Sequence, residues 1–237
     1  MKRRQQVAQS TELGERGAWC FTLELVVEPE LVLVFWELYE AAFGGLRTRS
    51  MARQVLTEEE FGAQMVNPDV RKYVAWTADG DPVGMCVVTT DLTTVPWISA
   101  EYFAARYPEH WERRAIWYIT FLLAHPTQRH SRFLDHIVDV GVGELVEEGA
   151  ICAYDMCAYN DAELGLSRRV AESFRRTTGA VSVPSDVQSY YTVDFSSPAA
   201  PEAADPTPAS PAAARLGNEV VQIGPADAAA QRTMGTV

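Results

Sequence analysis

The sequence is short of basic residues, of cysteine and of long apolar runs, and each shortage excludes something. Lys and Arg number 20 against 32 Asp and Glu, which leaves a formal net charge of −12. Nucleic-acid binding relies on clustered Lys and Arg against phosphate, so this balance excludes nucleic acid as a partner. The one basic cluster, Lys2-Arg3-Arg4, is short and reads as a solvated tail. The cysteines Cys20, Cys86, Cys152 and Cys157 lack metal-ligand spacing and are too few for a disulfide scaffold. A reducing, cytoplasmic compartment suits them. No stretch approaches the roughly 20 apolar residues of a membrane-spanning helix, and the longest run, Leu31 to Trp36, has the size of a core segment. No membrane partner is expected. Gln5 to Arg16 is polar where a secretory leader carries its apolar region. A Gly-x-Ser-x-Gly elbow is missing, which counts against a serine hydrolase. No metal site is expected either, because His130 and His136 fall on different faces of a predicted helix.

What is present is a chain of 237 residues with 47% hydrophobic content, enough for one domain and some additional sequence. Residues 1–17 and 197–237 read as flexible tails around a domain at 18–196. From Ser196 to Ala214, Pro, Ala and Ser dominate, and such a stretch buries too little surface to offset its ordering entropy. Val220 to Ile223 has the composition of a short strand or docking peptide.

Between the tails the pattern alternates. Cys20 to Val26 reads as a strand. Pro29 opens a helical pattern that Gly44-Gly45 stops after Phe43. Thr57 with Glu60 forms a capping-box pattern for a short helix at Glu58 to Met65. Lys72 to Thr77 and Pro82 to Thr90 flank an Asp-Gly turn and predict a hairpin. An aromatic insertion, Thr93 to Arg114, follows, with Ser99 as a helix cap. Ala115 to Ala124 is a central strand, followed by a helix at His130 to Glu148. Ile151 to Ala158 reads as a strand, Ala162 to Thr177 as a helix ended by Gly179, and Gln188 to Phe195 as a last strand. The order predicts an α/β (α+β) fold, one mixed sheet covered by helices on both faces.

That order resembles the GCN5-related N-acetyltransferase (GNAT) family over residues 19–196, most tellingly from Ala115 to Asn160. The resemblance implies a GNAT-like central mixed sheet of about six to seven strands. In the family, a helix after the central strand grips the pyrophosphate of acetyl-CoA with its N-terminus. Here the passage reads AIWYITFLLAHPTQRHSRFLDHI. His125-Pro126 stands in the Val-x-Pro segment, and Arg129 at the motif's first Arg or Gln. Asn160 stands where the family carries an Asn near the acyl-CoA arm. The motif's two glycine positions hold Arg132 and Leu134. Glycine there lets backbone N–H groups approach phosphate, so one outcome is an anion site in which Arg129, Arg132 and His130 supply the charge. The other is a site filled by these side chains. The family's Tyr in the last helix is missing from AESFRRTTGA, where Phe174 reads as a core residue.

The resemblance implies an acyl-CoA-dependent N-acyltransferase that acts on a small-molecule acceptor, with acetyl-CoA or another acyl-CoA as co-substrate and no metal. Gln128, Arg129, His130, Ser131 and Arg132 would hold the nucleotide, together with Asn160. The backbone of Leu122, Leu123 and Ala124 would lie against the thioester and polarise its carbonyl. For a base, Asp155 is the sharpest candidate, a lone carboxylate in the strand pattern ICAYDMCAY, with Glu112 and Glu101 behind it. Tyr118, Tyr154 and Tyr159 are candidate donors or acids, and alternation puts Tyr118 on one face with Thr120. Cys157, on the face of Asp155 and Tyr159, reads as a small buried residue. Trp97, Tyr102, Tyr107 and Trp111 line either an acceptor pocket or a packed cap over the sheet. Two rival readings stay open: a non-catalytic GNAT-like protein that binds a ligand or partner, and an acyltransferase fed by a carrier-protein thioester. A homodimer is left open.

Overall fold

A computed structural model describes residues 5–9, 19–125 and 133–196, with the side chains of residues 5–9, 133 and 134 outside the description. The chain divides into two units, Met1–Tyr190 and Tyr191–Val237. The first holds every element described below. Of the second, residues 191–196 are described, and in them Asp194 Oδ1 accepts from the Ser196 amide at 2.8 Å.

Six strands form one sheet in the order β1 (Gln5–Gln9), β2 (Cys20–Glu24), β3 (Val70–Trp76), β4 (Pro82–Thr89), β5 (Ile116–Ala124) and β6 (Ile151–Tyr154). Neighbours pair antiparallel as far as β5, and β6 then joins β5 in parallel. The sheet is mixed, as expected. Five of its strands lie where the alternation predicted them, while β1 falls in a span assigned to a tail. Gln-Gln-Val-Ala-Gln shows no apolar alternation, and its main-chain pairing to β2 leaves no trace in side-chain pattern.

One face of the sheet carries α1 (Pro29–Phe43) and α2 (Glu58–Val66). Pro29 starts α1, where its missing N–H costs nothing. Gly44 stays right-handed at φ −52°, so the chain does not stop there and continues as a 3-10 turn, Gly44–Thr48. Arg47 reaches back from that turn to the Glu40 carboxylate at 2.5 and 2.7 Å. The capping box of α2 forms as the sequence predicts: Glu60 N–H donates to Thr57 Oγ1 at 3.2 Å, and Thr57 N–H donates to Glu60 Oε2 at 2.8 Å. Arg53 also holds Glu60, and these donors lower its carboxyl pKa to about 2. The β3–β4 turn closes with Thr77 N–H on Asp81 O at 2.9 Å and Gly80 at φ +91°.

The insertion folds as a 3-10 turn (Leu92–Thr94), α3 (Ala100–Arg106) and α4 (Pro108–Glu112), with Ser99 Oγ capping α3 on the Tyr102 amide. The other face of the sheet carries α5 (Phe133–Glu147) and α6 (Leu166–Thr178), which ends at Gly179 with φ +76°. Between β6 and α6 lies one π-helical turn, Tyr159–Glu163.

Two expectations are corrected here. The strand predicted to run from Ile151 to Ala158 stops at Tyr154, and Asn160 sits in the π turn rather than at a strand end. The last predicted strand, Gln188 to Phe195, is not formed among the described residues. Val187, Tyr191, Val193 and Phe195 have strand-forming side chains, yet all are exposed. Strand propensity expresses a fit to a pleated, half-buried surface, and among the described residues no strand pairs with this segment.

Candidate functional site

The end of β6 places the site. Its pairing with β5 runs from Ile116↔Ile151 to Ile119↔Tyr154 and stops. β5 continues to Ala124 with β4 on one side only, and among the described residues no strand pairs with its other edge there. Thr120 lies at this parting. It is the extra residue of a β-bulge, because Val87 faces Phe121 while Val88 already faces Ile119. Its hydroxyl donates to Val87 O at 3.3 Å and to Gln64 Oε1 of α2 at 3.2 Å.

The bulge fixes where the next amides point. His125 N–H donates to Val83 O at 2.8 Å, so residues 125, 123 and 121 direct their main-chain groups to β4. Leu122 and Ala124 then turn theirs the other way, into the gap that β6 has left. Leu123 instead packs its side chain into the α1–α2 core. Of the three backbone positions expected against a thioester, two thus present main-chain N–H groups to the open side.

Asp155 follows directly after β6 and is exposed. It is not the buried strand carboxylate that the sequence pattern suggested. Tyr118 Oη donates to its Oδ1 in a short hydrogen bond, and Trp97 Nε1 donates to the same oxygen at 3.2 Å. Among the described residues Oδ2 takes no hydrogen bond. Burial raises the Tyr118 phenol well above the ordinary tyrosine range, and the Asp155 charge raises it further. The phenol therefore keeps its proton and stands as a donor to Asp155. Three residues singled out separately in the sequence, Trp97, Tyr118 and Asp155, form one cluster.

The other aromatic candidates divide. Tyr107 and Trp111 pack with Leu92, Val95, Ile116 and Tyr118, so they belong to the cap over the sheet. Phe103 stands edge-on to Tyr118 at 6.4 Å between ring centres. Tyr102 is 39% exposed and donates through Oη to Ser185 O at 3.4 Å. Tyr154 shares a hydrogen bond with Ser182 Oγ at 3.0 Å, and the chain after α6 passes beside both rings. Cys157 packs against the α1–α2 core, as does Tyr159, whose Oη accepts from Arg49 Nη1 at 2.8 Å. Neither Arg49 nor Gln64 was marked in the sequence, since nothing in their local pattern separates them from ordinary surface residues. Glu101 accepts from Ser99 Oγ on the outside of α3.

The nucleotide-holding candidates Gln128, Arg129, His130, Ser131 and Arg132 lie outside the described residues, so the anion grip has no described geometry. Among the described residues no group of three His, Cys, Asp or Glu side chains forms a metal site, and no helix is long and apolar enough to cross a membrane.

No protein-family model matches the chain, and no curated protein sequence does. Among solved structures, the chain is similar to an aminoglycoside acetyltransferase from an uncultured soil metagenomic sample in complex with sisomicin. Identity is 12%, coverage is 73% of this chain and 97% of that chain, and the TM-score is 0.43. It is also similar to the aminoglycoside acetyltransferase AAC(6')-Ib in complex with coenzyme A and kanamycin. There identity is 15%, coverage is 66% of this chain and 98% of that chain, and the TM-score is 0.43.

Proposed function

We propose that the protein is an acyl-CoA-dependent N-acyltransferase that acts on a small-molecule amine by direct transfer. The observation that carries this reading is the geometry at the parting of β5 and β6. Main-chain N–H groups of Leu122 and Ala124 face a gap in the sheet, and a carboxylate held by two donors stands at its mouth. Thioester aminolysis needs a donor for the developing oxyanion and an acceptor for the amine proton, and it needs no protein nucleophile.

Acyl-CoA enters as a substrate, with its thioester carbonyl against the amides of Leu122 and Ala124. The acceptor amine approaches from the Trp97 side, where Asp155 Oδ2 is open to it. The amine nitrogen bonds to the carbonyl carbon, the carbon–sulfur bond breaks, and the thiolate takes a proton from solvent. The amine proton passes to Asp155, directly or through one water. Tyr118 and Trp97 hold Asp155 in place by fixing Oδ1 and so act as positioning residues.

The test is release of free thiol from acetyl-CoA with a panel of amines that includes aminoglycosides, set beside calorimetry of acetyl-CoA binding. Asp155→Asn is expected to lower turnover by about 10²–10⁴-fold while acetyl-CoA binding stays as in the parent. Thiol release that is unaffected by this substitution removes Asp155 from the mechanism. Failure of every CoA thioester to bind overturns the reading and leaves the carrier-fed or non-catalytic alternatives.

A further inference from the structure

On the face of the sheet away from Asp155, a cavity of about 40 Å³ lies between the strands and the two helices α5 and α6. Its walls are apolar: Val88, Ile119 and Leu122 from the sheet, and Ile137, Val142 and Leu145 from α5. Two thiols, Cys86 and Cys152, also line it, and burial raises both, Cys152 to about 12, so they stay neutral. The polar groups around it are already engaged with one another. Tyr73 Oη donates to Glu144 Oε1 at 3.2 Å, and Trp117 Nε1 donates to Glu148 Oε2 at 2.8 Å. Such a space favours carbon over water.

Two further observations give the cavity a direction and a reason. Leu122 forms part of its wall while the Leu122 amide faces the gap beyond β6, so cavity and gap adjoin at one residue. Gly141, inside α5, also lines it, and a Cβ built there meets no atom within 4 Å. Glycine in a helix interior costs about 1 kcal/mol relative to alanine. Neither a close approach nor a positive φ requires glycine at this position. What it preserves is the space itself.

We infer that this cavity receives the tail of the acyl group, that Gly141 sets the length accepted, and that the preferred donor is a short-chain acyl thioester of about butyryl size. The inference rests on the acyltransferase reading. A buried water occupies about 10–15 Å³ on the same scale, so a cavity of about 40 Å³ takes about three heavy atoms, a chain longer than acetyl and shorter than octanoyl. The acyl tail then lies on the α5–α6 face and the acceptor on the insertion face, with the reacting carbonyl in the gap between them.

The experiment compares acetyl-, butyryl- and octanoyl-CoA by calorimetry on the full chain and on the variants Gly141→Leu and Gly141→Ala, with thermal melts of each. Butyryl-CoA is expected to bind the parent about tenfold or more tightly than acetyl-CoA, and octanoyl-CoA no better than butyryl-CoA. Gly141→Leu should abolish the butyryl preference and leave acetyl-CoA affinity unchanged; Gly141→Ala should weaken the preference and melt no lower than the parent. Should Gly141→Leu melt far below the parent, Gly141→Ala carries the comparison. Equal affinity for acetyl- and butyryl-CoA, or a preference that survives both variants, overturns the acyl pocket and leaves the acyltransferase reading standing. Binding of no thioester overturns both.

Discussion

Under α1 and α2 the sheet meets rings packed on one another; under α5 and α6 it meets the separate rings of Phe21, Tyr73 and Trp117, aliphatic side chains, two thiols and a cavity. On the first face Tyr39 contacts Trp36, Phe43, Phe61 and Phe121 with ring centres 4.9–5.6 Å apart. Its hydroxyl, raised to about 12 by burial, accepts from the Leu56 amide at 2.9 Å. Even the lysine there is tied down: Lys72 is fully buried and donates through Nζ to Leu25 O at 2.7 Å and to Asn67 O at 2.6 Å. On the second face α5 carries Gly141 at the cavity, and a Cβ built there meets no atom within 4 Å. Interlocking rings resist rearrangement, because every gap they leave forfeits contacts. The loosely filled face can change its side chains cheaply. The first face thus holds the strands in register, and the second is the side on which the proposed acyl tail would lie.

Three substitutions sharpen or break this contrast. The largest effect is expected at Phe61→Ala on the ring face, a loss of about 3–5 kcal/mol in urea unfolding. A loss below about 1 kcal/mol would mean that the ring face is as adaptable as the other. Next comes Lys72. Burial lowers its ammonium to about 8. Between that value and the ordinary lysine pKa of about 10.4 the unfolded chain binds more protons than the folded one. Stability due to this residue therefore rises with pH across that window and is flat below it. Matched unfolding of the parent and Lys72→Met at steps through the window should show this slope in the difference between the two. The smallest effect is at Gly141→Ala, where helix propensity alone predicts a gain of about 1 kcal/mol. A loss there would mean that the α5 face is packed as tightly as the α1 face.

Much of the frame was legible because its signals are local. The Thr57–Glu60 box, the Asp-Gly turn, the Ser99 cap and Pro29 each satisfy main-chain donors or dihedral needs within a few residues, and each appears where the spacing put it. The site was legible in part. Asp155 stood out as one charge in an apolar pattern, and Tyr118 as a polar ring in the central strand. That they meet, and that Trp97 joins them, depends on strand pairing and on the fold of the insertion, which local pattern does not encode. The early end of β6 and the bulge at Thr120 escaped for the same reason. Both are properties of a pair of strands, and nothing in ICAYDMCAY marks where pairing stops. The reverse failure occurred at Gln188 to Phe195, where a sound local pattern pairs with no strand among the described residues.

The bulge at Thr120 has a consequence for how β5 tolerates change. Side chains along a strand alternate with a period of two, and one inserted residue is half a period. Upstream of Thr120 the odd-numbered residues Trp117 and Ile119 face α5; downstream the even-numbered Leu122 does, while Phe121 and Leu123 face the rings. Thr120 works as a phase shifter within a single strand. Deleting it would join two stretches that already alternate in phase, so that Phe121 still faces the rings and Leu122 the cavity while the ladder to β4 runs on without its bulge. The loss of a residue elsewhere in β5 has no such slack to absorb it and exchanges the faces of everything that follows.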